Sequence, residues 1–480
     1  RKAQLRDEDK QQIVERARAL EERQHRKDDD SILPKVDLSD VPLKTHFPEG
    51  RTLEAFPAAL YAQGTNGLVY EQAIFRLPTL SRDELLMLPL YTTILTEVGC
   101  GDLDYLQMQD RISACSGGIG ASVSARGSVD DGYMILSGKA LARNRKALSE
   151  LLRDVYDNAR FDEKGRIREL VAQIRARREQ AVTGSGHGLA MSAASQGHSP
   201  GAWLSFRLAG LAGIKGTKAL DDTLNDEAAL DKLCQDLASL HQRFRQQQRQ
   251  FLLVAEEEHL AAMAEGVSSL WPEAPETRGE QWQIEPVSYD TREAWLTSTQ
   301  VNFCARAYPT VAPDHPDAAA LTVLGGFLRN GFLHRAIREQ GGAYGGGAGQ
   351  DNVNGTFRFF SYRDPRLGET LDDFDASLAW LQETDHGQQE LEEAVLGVIS
   401  QLDKPRSPAG EARHAFHSRL FGRSPEQQER FRKRVLAVTV DDLRRVAGDW
   451  LRPEKASTAV ITSHDNRDDV TRLGLHIHEL

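Results

Sequence analysis

The sequence is poor in cysteine, with four residues in 480: Cys100, Cys115, Cys234 and Cys304. No two of them form a C-x-x-C pair, which argues against a disulfide framework and against the common cysteine spacing of structural zinc sites. Long hydrophobic runs are missing as well, because the longest apolar stretch, residues 85–95, is interrupted by Pro89 and falls short of the roughly 20 residues that cross a membrane. We therefore predict reduced, mostly buried thiols and no membrane partner.

Positive charge is in deficit, since 59 Lys and Arg residues stand against 71 Asp and Glu residues, a formal net charge of −12. Such a chain gains little from the phosphates of nucleic acids, and we predict no nucleic-acid partner. The phosphate-binding loop G-x-x-x-x-G-K-[ST] and the zinc-peptidase motifs H-E-x-x-H and H-x-x-E-H are absent from the sequence. The chain by itself therefore shows no recognisable catalytic centre.

Three weaker patterns favour structural interpretations. His414 and His417 are three residues apart on a predicted helix, but no nearby Cys or carboxylate completes a tetrahedral metal site. The glycine-rich run 184–188 follows a helical pattern instead of a strand, so it predicts a mobile loop and not a nucleotide site. The acidic run 256–259 closes a predicted strand and is typical of a solvated turn. We assign no metal ligand to this chain.

The composition, 40% hydrophobic and 27% charged, is that of a globular protein. The first 30 residues combine nine basic and nine acidic side chains with apolar residues at helical spacing, which predicts a solvated helix. Because the chain begins inside this helix, we expect it to be part of a longer polypeptide. Pro34, Pro42 and Pro48 then predict an extended connection, and we assign residues 1–55 to a helical linker segment.

Two long blocks follow, and the order of their predicted elements matches. In each block a strand leads through a proline into a helix, and a second helix ends at a Gly-Gly pair. The pairs at 117–118 and 341–342 are 224 residues apart, which predicts a duplication because the next strand-opening glycines keep nearly the same offset. The predicted fold is α+β, with two homologous domains at 56–267 and 287–480 and a linker at 268–286 between them. Each domain is predicted to be a mainly antiparallel sheet with helices packed on one face.

The most informative segment joins a predicted helix to a glycine-rich strand. The helix carries Arg338 in its last turn and ends at Gly341 and Gly342, a residue type that tolerates positive φ at a helix C-terminus. The strand opens with Tyr344 and Gly345, and glycines beside a single aromatic leave the backbone open to another chain. Arg338 and Tyr344 are suited to bind one carbonyl or oxyanion. In the alternative interpretation, Arg338 only favours the helix C-terminus electrostatically and Tyr344 only fills the sheet.

The same segment carries a family resemblance. RAIREQGGAYGGGAG at 335–349, followed by FRFFSYRDP at 357–365, is similar to the C-terminal half of pitrilysin-type (M16) zinc peptidases. LPKVDLSDVP at 33–42 and much of the stretch 65–112 resemble the presequence-protease branch of the insulinase superfamily, which is subfamily C of the M16 peptidases. The similarity extends over nearly the whole chain, and the signature R-x-x-G-G-A-Y-G, beginning at Arg338, is fairly specific to that branch.

The resemblance implies an architecture and a chemistry. Such enzymes have four homologous α+β domains in two halves that close as a chamber around a peptide. The first half binds zinc through H-x-x-E-H and a distal Glu, so that the metal polarises the carbonyl and activates water while a Glu acts as base. The second half supplies an Arg and a Tyr, here Arg338 and Tyr344, which bind the scissile carbonyl and stabilise the tetrahedral intermediate. Gly341, Gly342 and Gly345 are then expected to bind the substrate.

The zinc motif is the main departure from the family pattern, because the position where it would fall reads LYTTI at residues 90–94. We therefore predict the C-terminal half of a zinc metalloendopeptidase, inactive by itself, whose zinc is bound by an absent N-terminal half. Its predicted partners are that half and unfolded peptides. The predicted compartment is the bacterial cytoplasm, or the mitochondrial or plastid matrix in a eukaryote. Two alternatives stay open: a non-catalytic scaffold or companion subunit of the same fold, and a stand-alone peptide-binding module.

Overall fold

The computed structural model describes residues 6–25, 36–54, 56–125, 132–271 and 287–480. The chain divides into two compact units, residues 1–42 and 43–480. In the first unit, helix α1 (Asp7–His25) begins with three acidic residues, whose charge suits the positive end of the helix dipole. The apolar side chains of Ile13 and Val14 on this helix are more than half exposed. The predicted solvated helix is therefore confirmed.

Residues 43–271 form the first of two sheets, which we call sheet A. Its described strands are β1 (Arg51–Thr52), β2 (Ala58–Ala62), β3 (Leu68–Arg76), β4 (Ile119–Ala125), β5 (Gly132–Leu141) and β6 (Arg249–Ala255). They stand in the order β1-β2-β6-β3-β5-β4. Strands β2 and β6 run parallel, and the other neighbours are antiparallel.

Residues 287–480 form the second sheet, sheet B. Its strands are β7 (Arg292–Thr297), β8 (Phe303–Pro309), β9 (Gly345–Asp351), β10 (Thr356–Tyr362), β11 (Ser457–Ser463) and β12 (His476–Glu479). Their order is β12-β7-β11-β8-β10-β9, in which β7 is parallel to both β11 and β12. The run β7-β11-β8-β10-β9 repeats the run β2-β6-β3-β5-β4 of sheet A with the same strand directions. The predicted α+β duplication is therefore confirmed in the topology.

Helices connect the strands in both blocks. Those of residues 43–271 are α2 (Arg82–Leu95), α3 (Tyr105–Cys115), α4 (Arg145–Asn158), α5 (Lys164–Gly184), α6 (Gly186–Ser195), α7 (Pro200–Ala209), α8 (Leu211–Thr223), α9 (Glu227–Arg245) and α10 (Glu257–Leu270). Those of residues 287–480 are α11 (Ala318–Leu328), a π-helix (Arg329–Gln340), α12 (Gly368–Glu383), α13 (Gln388–Leu402), α14 (Pro408–Leu420), α15 (Pro425–Leu436), α16 (Val440–Trp450) and α17 (Arg467–Arg472). Reciprocal capping boxes start α2, α3, α15 and α16, because a polar side chain and the residue three positions on satisfy each other's backbone amides.

Helices of its own block cover one face of sheet A. Strand β3 presents Val69, Ala73 and Phe75 to this face, where they join Leu148 and Leu152 of α4 in one buried cluster. Full burial of a large apolar side chain of this kind stabilises a fold by about 1.5–3 kcal/mol. The cluster therefore explains why the alternating pattern of β3 and the helical pattern of α4 occur together.

The second face of each sheet is covered by a helix from the other block. Helix α6 brings Ala190 and Ala193 against Phe303 of sheet B. Helix α14 brings Ala412 into an apolar cluster with Ile135 of sheet A. Small side chains on both helices let their backbones approach the sheets closely. The sequence predicts helices on one face of each sheet, and this exchange on the opposite face is visible only in the structure.

Three local predictions from the sequence are wrong, two of them at strand ends. The sequence pattern predicts one strand over 297–308, whereas β7 ends at Thr297 and β8 begins at Phe303, because the chain turns between them where the Thr299 hydroxyl donates to the backbone. The acidic run 256–259 does not form a solvated turn, since α10 begins inside it. Glu256 accepts a hydrogen bond from the Gly67 amide at 3.0 Å, and acidic residues suit the positive end of a helix.

The glycine-rich run 184–188 is also not a loop. Helix α5 ends and α6 begins within it, with one residue, Ser185, between the two helices. Gly186 packs against the ring of Phe303 so closely that a Cβ there would lie 2.5 Å from a ring carbon. Gly186 therefore allows the helix junction to contact sheet B.

The domain boundaries at 1–55, 56–267, 268–286 and 287–480 stay predictions. Helix α10 continues to Leu270, inside the predicted linker 268–286. Residues 272–286 of that linker lie outside the described residues.

Glu71 is a charged residue in the core of sheet A. It lies on β3 between Val69 and Ala73 and is 1% exposed. The Ser149 hydroxyl donates a hydrogen bond to Oε2 of Glu71, whereas Oε1 is buried without a partner among the described residues. Burial penalises the charged form of this carboxyl and raises the pKa of Glu71 to about 7.

We predict that Glu71→Gln changes how stability depends on pH. Because the pKa of Glu71 is raised from 4.5 to about 7 in the folded protein, the stability it contributes is fully present below about pH 4.5 and is lost as the pH rises through 7. The free energy of unfolding of the variant relative to wild type should rise by about 3 kcal/mol between pH 4.5 and 8. Urea unfolding at both pH values measures this change, with the exposed Glu265→Gln as control. Parallel pH profiles of Glu71→Gln and wild type would contradict the prediction.

Candidate functional site

The candidate site begins with an unusual helix. Helix α11 runs without interruption into the π-helix, whereas the sequence predicts two separate helices. π-helices are rare and are found frequently at functional sites. The wide spacing of hydrogen-bonded residues continues at the C-terminal end of this helix. There the Gly341 amide donates to the Ala336 carbonyl at 2.9 Å, and the Ala343 amide donates to the Ile337 carbonyl at 3.1 Å. These bonds hold residues 341–343 as a turn between the π-helix and β9.

Gly341 and Gly342 support this turn in different ways. Gly342 has a φ of 79°, a conformation that costs other residues about 1–2 kcal/mol. Gly341 has an ordinary φ of −79°, so of the two glycines it is Gly342 that uses the tolerance for positive φ expected at this helix end. A Cβ at Gly341 would instead overlap the guanidinium of Arg366, which donates to the Ala336 carbonyl at 3.3 Å and to Asp373 at 2.7 Å. Gly341 is therefore needed for close packing.

Arg338 lies in the last turn of the π-helix, and its side chain is exposed. Within the described residues its guanidinium has no ion pair and no side-chain hydrogen bond. The nearby Arg366 behaves differently, because an ion pair with Asp373 holds it against the protein. The donors of Arg338 thus stay available to a ligand.

Tyr344 follows the turn and is 68% exposed, more than any other large hydrophobic side chain of the described residues. Its amide donates to the Tyr362 carbonyl at 3.1 Å, and its ring meets the Tyr362 ring edge-to-face with 5.5 Å between centroids. The Tyr344 hydroxyl has no hydrogen-bond partner among the described residues. Arg338 and Tyr344 therefore flank the 341–343 turn, both exposed and neither in the packed interior.

Tyr362 and Arg363 belong to the same surface, although the sequence indicates them only through the resemblance of residues 357–365. Tyr362 ends β10 and lies opposite Gly345 in the strand register. Arg363 has a φ of 50°, which is uncommon for a non-glycine residue, and its guanidinium carbon lies 5.3 Å from the centroid of the Tyr362 ring. No spacing rule predicts these contacts, because they depend on how β10 pairs with β9.

Strand β9 is an edge of sheet B. It pairs with β10 on one side, and no described strand pairs with its other side. A Cβ at Gly345 would meet no atom within 4 Å. An open strand edge is a template on which an extended peptide can pair. Gly342 is exposed, Gly345 is half-buried and Gly341 is buried, and the substrate contacts of all three stay predictions.

The described residues contain no group of three or more His, Cys, Asp or Glu side chains that could hold a metal ion, so they do not fit zinc. His414 and His417 lie on α14 as predicted, and His417 Nε2 is 2.9 Å from Gln72 Oε1.

All four cysteines are free and three are buried, which confirms the predicted thiols. In the described part of the chain, no helix has the length and apolar character needed to cross a bilayer.

Comparison with known families decides the family of the chain. Residues 1–220 match the model of the region associated with M16 peptidases of subfamily C, and residues 292–463 match that of the "PreP C-terminal domain". The chain belongs to subfamily C of the M16 peptidases. The resemblance seen in residues 335–349 is therefore confirmed.

Curated relatives of this M16 chain are presequence proteases. The mitochondrial presequence protease of Yarrowia lipolytica is 30% identical over 465 residues, which cover 94% of this chain and 46% of the relative. That of Danio rerio is 30% identical over 479 residues, covering 93% and 46%. Presequence protease 1, chloroplastic/mitochondrial, of Arabidopsis thaliana is 26% identical, covering 97% and 44%. The chain spans about half the length of the curated relatives it matches.

Solved structures of M16 peptidases share the fold of this chain. The peptidase M16 inactive domain from Pseudomonas fluorescens matches with a TM-score of 0.60 and 17% identity, covering 87% of this chain and 98% of that domain. Pitrilysin matches with a TM-score of 0.61 and 13% identity, covering 91% of this chain and 45% of pitrilysin. At these identities the likeness shows the fold alone.

We predict that Gly341→Ala destabilises the protein and that Gly345→Ala does not. The added methyl at 341 meets the Arg366 guanidinium, and overpacking of this kind lowers the free energy of unfolding by about 1–3 kcal/mol. The methyl at 345 enters open space, so its effect should stay within about 0.5 kcal/mol. Urea unfolding of both variants measures the difference, and equal stability of the two would contradict the packing role of Gly341.

Proposed function

We propose that this chain is the C-terminal half of a zinc-dependent metalloendopeptidase that degrades unfolded peptides. The observation that carries the proposal is the pair of exposed donors, Arg338 and Tyr344, on the two sides of one hydrogen-bonded turn beside an open strand edge. The match to a C-terminal domain model and the coverage of about half of each relative support the position within a longer enzyme.

Arg338 and Tyr344 are assigned to the scissile carbonyl. The oxygen of a peptide carbonyl gains negative charge as the tetrahedral intermediate forms. A guanidinium and a phenol that are already in place stabilise this charge without reorganisation, which favours the transition state over the bound substrate. Neither side chain has a competing hydrogen-bond partner among the described residues, so both donors are available for this role.

The proposed substrate is an extended peptide that lies along β9. Its backbone pairs with the open side of β9 and passes Gly342 and Gly345, where missing side chains leave room for it. Gly341 is buried and supports the turn through its close packing. A folded protein cannot be enclosed in a chamber between the two halves, whereas an extended peptide can, and the proposed substrates are therefore unfolded peptides.

The zinc of the proposed enzyme is held by the N-terminal half, which is the proposed partner of this chain. The described residues do not fit a zinc site, so no metal ligand and no metal step is assigned to them. The chain alone is then inactive as a peptidase. Its compartment, the bacterial cytoplasm or an organelle matrix, stays a prediction.

A non-catalytic M16-fold scaffold or companion subunit is the second candidate function. It accounts for the lack of a metal-binding group in the described residues as well as the first candidate does. The two candidates differ in whether the complete protein with its zinc hydrolyses peptides.

We predict that Arg338→Ala and Tyr344→Phe, each made in the complete protein, lower kcat by roughly 10²–10³, because each removes one oxyanion donor. Hydrolysis of an unfolded fluorogenic peptide measures kcat, while zinc content and circular dichroism should stay at wild-type values. Arg335→Ala, which removes another exposed arginine of the π-helix, is the matched control and should retain full turnover.

Wild-type turnover in both Arg338→Ala and Tyr344→Phe would refute the proposed role of the pair. Absence of any hydrolysis by the zinc-loaded wild-type protein would instead favour the non-catalytic subunit.

A further inference from the structure

We propose that Tyr362, held by the junction between α5 and α6, fixes the orientation of the Tyr344 side chain. The junction comprises residues 184–187 and belongs to the block of sheet A, whereas Tyr362 and Tyr344 belong to the block of sheet B. This inference rests on the function proposed above for Tyr344 and adds a positioning residue to it.

Tyr344 needs a neighbour to hold it. An exposed tyrosine populates several side-chain rotamers, so its hydroxyl has no fixed position. Among the described residues the ring of Tyr344 makes one aromatic contact, with Tyr362, at an interplanar angle of 84°. This edge-to-face geometry is one that aromatic pairs prefer. Tyr362 is therefore the contact that selects an orientation for the Tyr344 ring.

Besides its contact with the neighbouring Arg363, Tyr362 is anchored by three contacts with residues distant in the sequence. Its hydroxyl donates to the Gly184 carbonyl at 3.3 Å. The ring of His187 meets it edge-to-face with 4.8 Å between centroids, and the ring of Phe303 on β8 lies 5.8 Å away. Two of the three contacts come from the α5–α6 junction, so the orientation of Tyr362 depends on the block of sheet A.

The junction is packed firmly enough to act as an anchor. The Ser185 amide donates to the Ala181 carbonyl at 2.8 Å, and Gly186 lies against the Phe303 ring with no room for a side chain. Nδ1 of His187 is buried without a hydrogen-bond partner in the described residues, and burial lowers the pKa of His187. His187 is therefore neutral near pH 7 and packs against Tyr362 as an aromatic ring.

Phe360 provides an internal control on the same strand. It lies two residues before Tyr362, so both side chains are on one face of β10, and it also contacts His187, at 5.5 Å. It pairs opposite Gly347 and makes no ring contact with Tyr344 within the described residues. A change at Phe360 thus disturbs the same junction without touching Tyr344.

The orientation of Tyr344 is testable without any activity measurement. With 3-fluorotyrosine at position 344 of the chain, we expect one sharp ¹⁹F resonance in the wild-type background and in Phe360→Leu. Tyr362→Leu should shift and broaden this resonance, because the Tyr344 ring gains rotamers. His187→Leu should do the same to a smaller extent, since Tyr362 keeps its other contacts.

Measurements of kcat and KM in the complete protein distinguish the positioning of Tyr344 from a general structural support of sheet B. Tyr362→Leu is expected to lower kcat about tenfold and to leave KM within about twofold, because the Tyr344 phenol acts on the transition state. Tyr362→Phe keeps the ring contact and should restore most of kcat. In a Tyr344→Phe background, Tyr362→Leu should have no further effect, because the phenol it positions is already missing.

An unchanged Tyr344 resonance in Tyr362→Leu, or an equal change in Phe360→Leu, overturns the proposal. An unchanged Tyr344 resonance in His187→Leu overturns the part of the proposal in which the α5–α6 junction holds Tyr362. A loss of kcat that persists in the Tyr344→Phe background shows general support of sheet B and also overturns it. If the resonance changes in Tyr362→Leu while Tyr344→Phe keeps wild-type turnover, the positioning stands and the function proposed for Tyr344 fails.

Discussion

The packing of helix α6 on sheet B is the contact on which the candidate site depends. Ala190, Ala193 and Ala194 are fully buried, and their small size lets the helix lie close to strands β8, β10 and β11. The α5–α6 junction is thereby carried to the end of β10, next to Tyr362. Helix α14 makes the reciprocal contact with sheet A. Because each block covers the sheet of the other, residues 43–480 form one compact unit.

At the turn between the π-helix and β9, the groups that stabilise the turn are different from the groups that are available to a ligand. Backbone hydrogen bonds close the turn, and Arg366 fills the space under Gly341 through its pairing with Asp373. The side chains of Arg338 and Tyr344 take no part in this closure. They stay exposed because other residues support the turn, which is the property that a pair of oxyanion donors requires.

The open edge of β9 and the absence of a metal-binding group in the described residues fit a shared site. In the proposed function, the two donors and the strand edge of this chain complete a hydrolytic centre together with another region. The coverage of about half of each presequence protease agrees with such a division between two halves. The same fold would serve a non-catalytic subunit, so the proposed function rests on the two donors and not on the architecture.

Local sequence patterns determined the α+β class, the duplication and the helix–glycine–tyrosine segment, because helical spacing, strand alternation and glycine positions are read within short windows. Tertiary structure alone decided that α6 and α14 each cover the sheet of the other block. It also decided that Gly341 packs against Arg366 and that Tyr362 forms a hydrogen bond with Gly184, 178 residues away. These contacts join elements far apart in the chain, and their partners are chosen by complementary packing after the elements have formed. The run 184–188 shows the reason most clearly: its glycines indicate a loop locally, and only the ring of Phe303 explains why the helix junction needs Gly186.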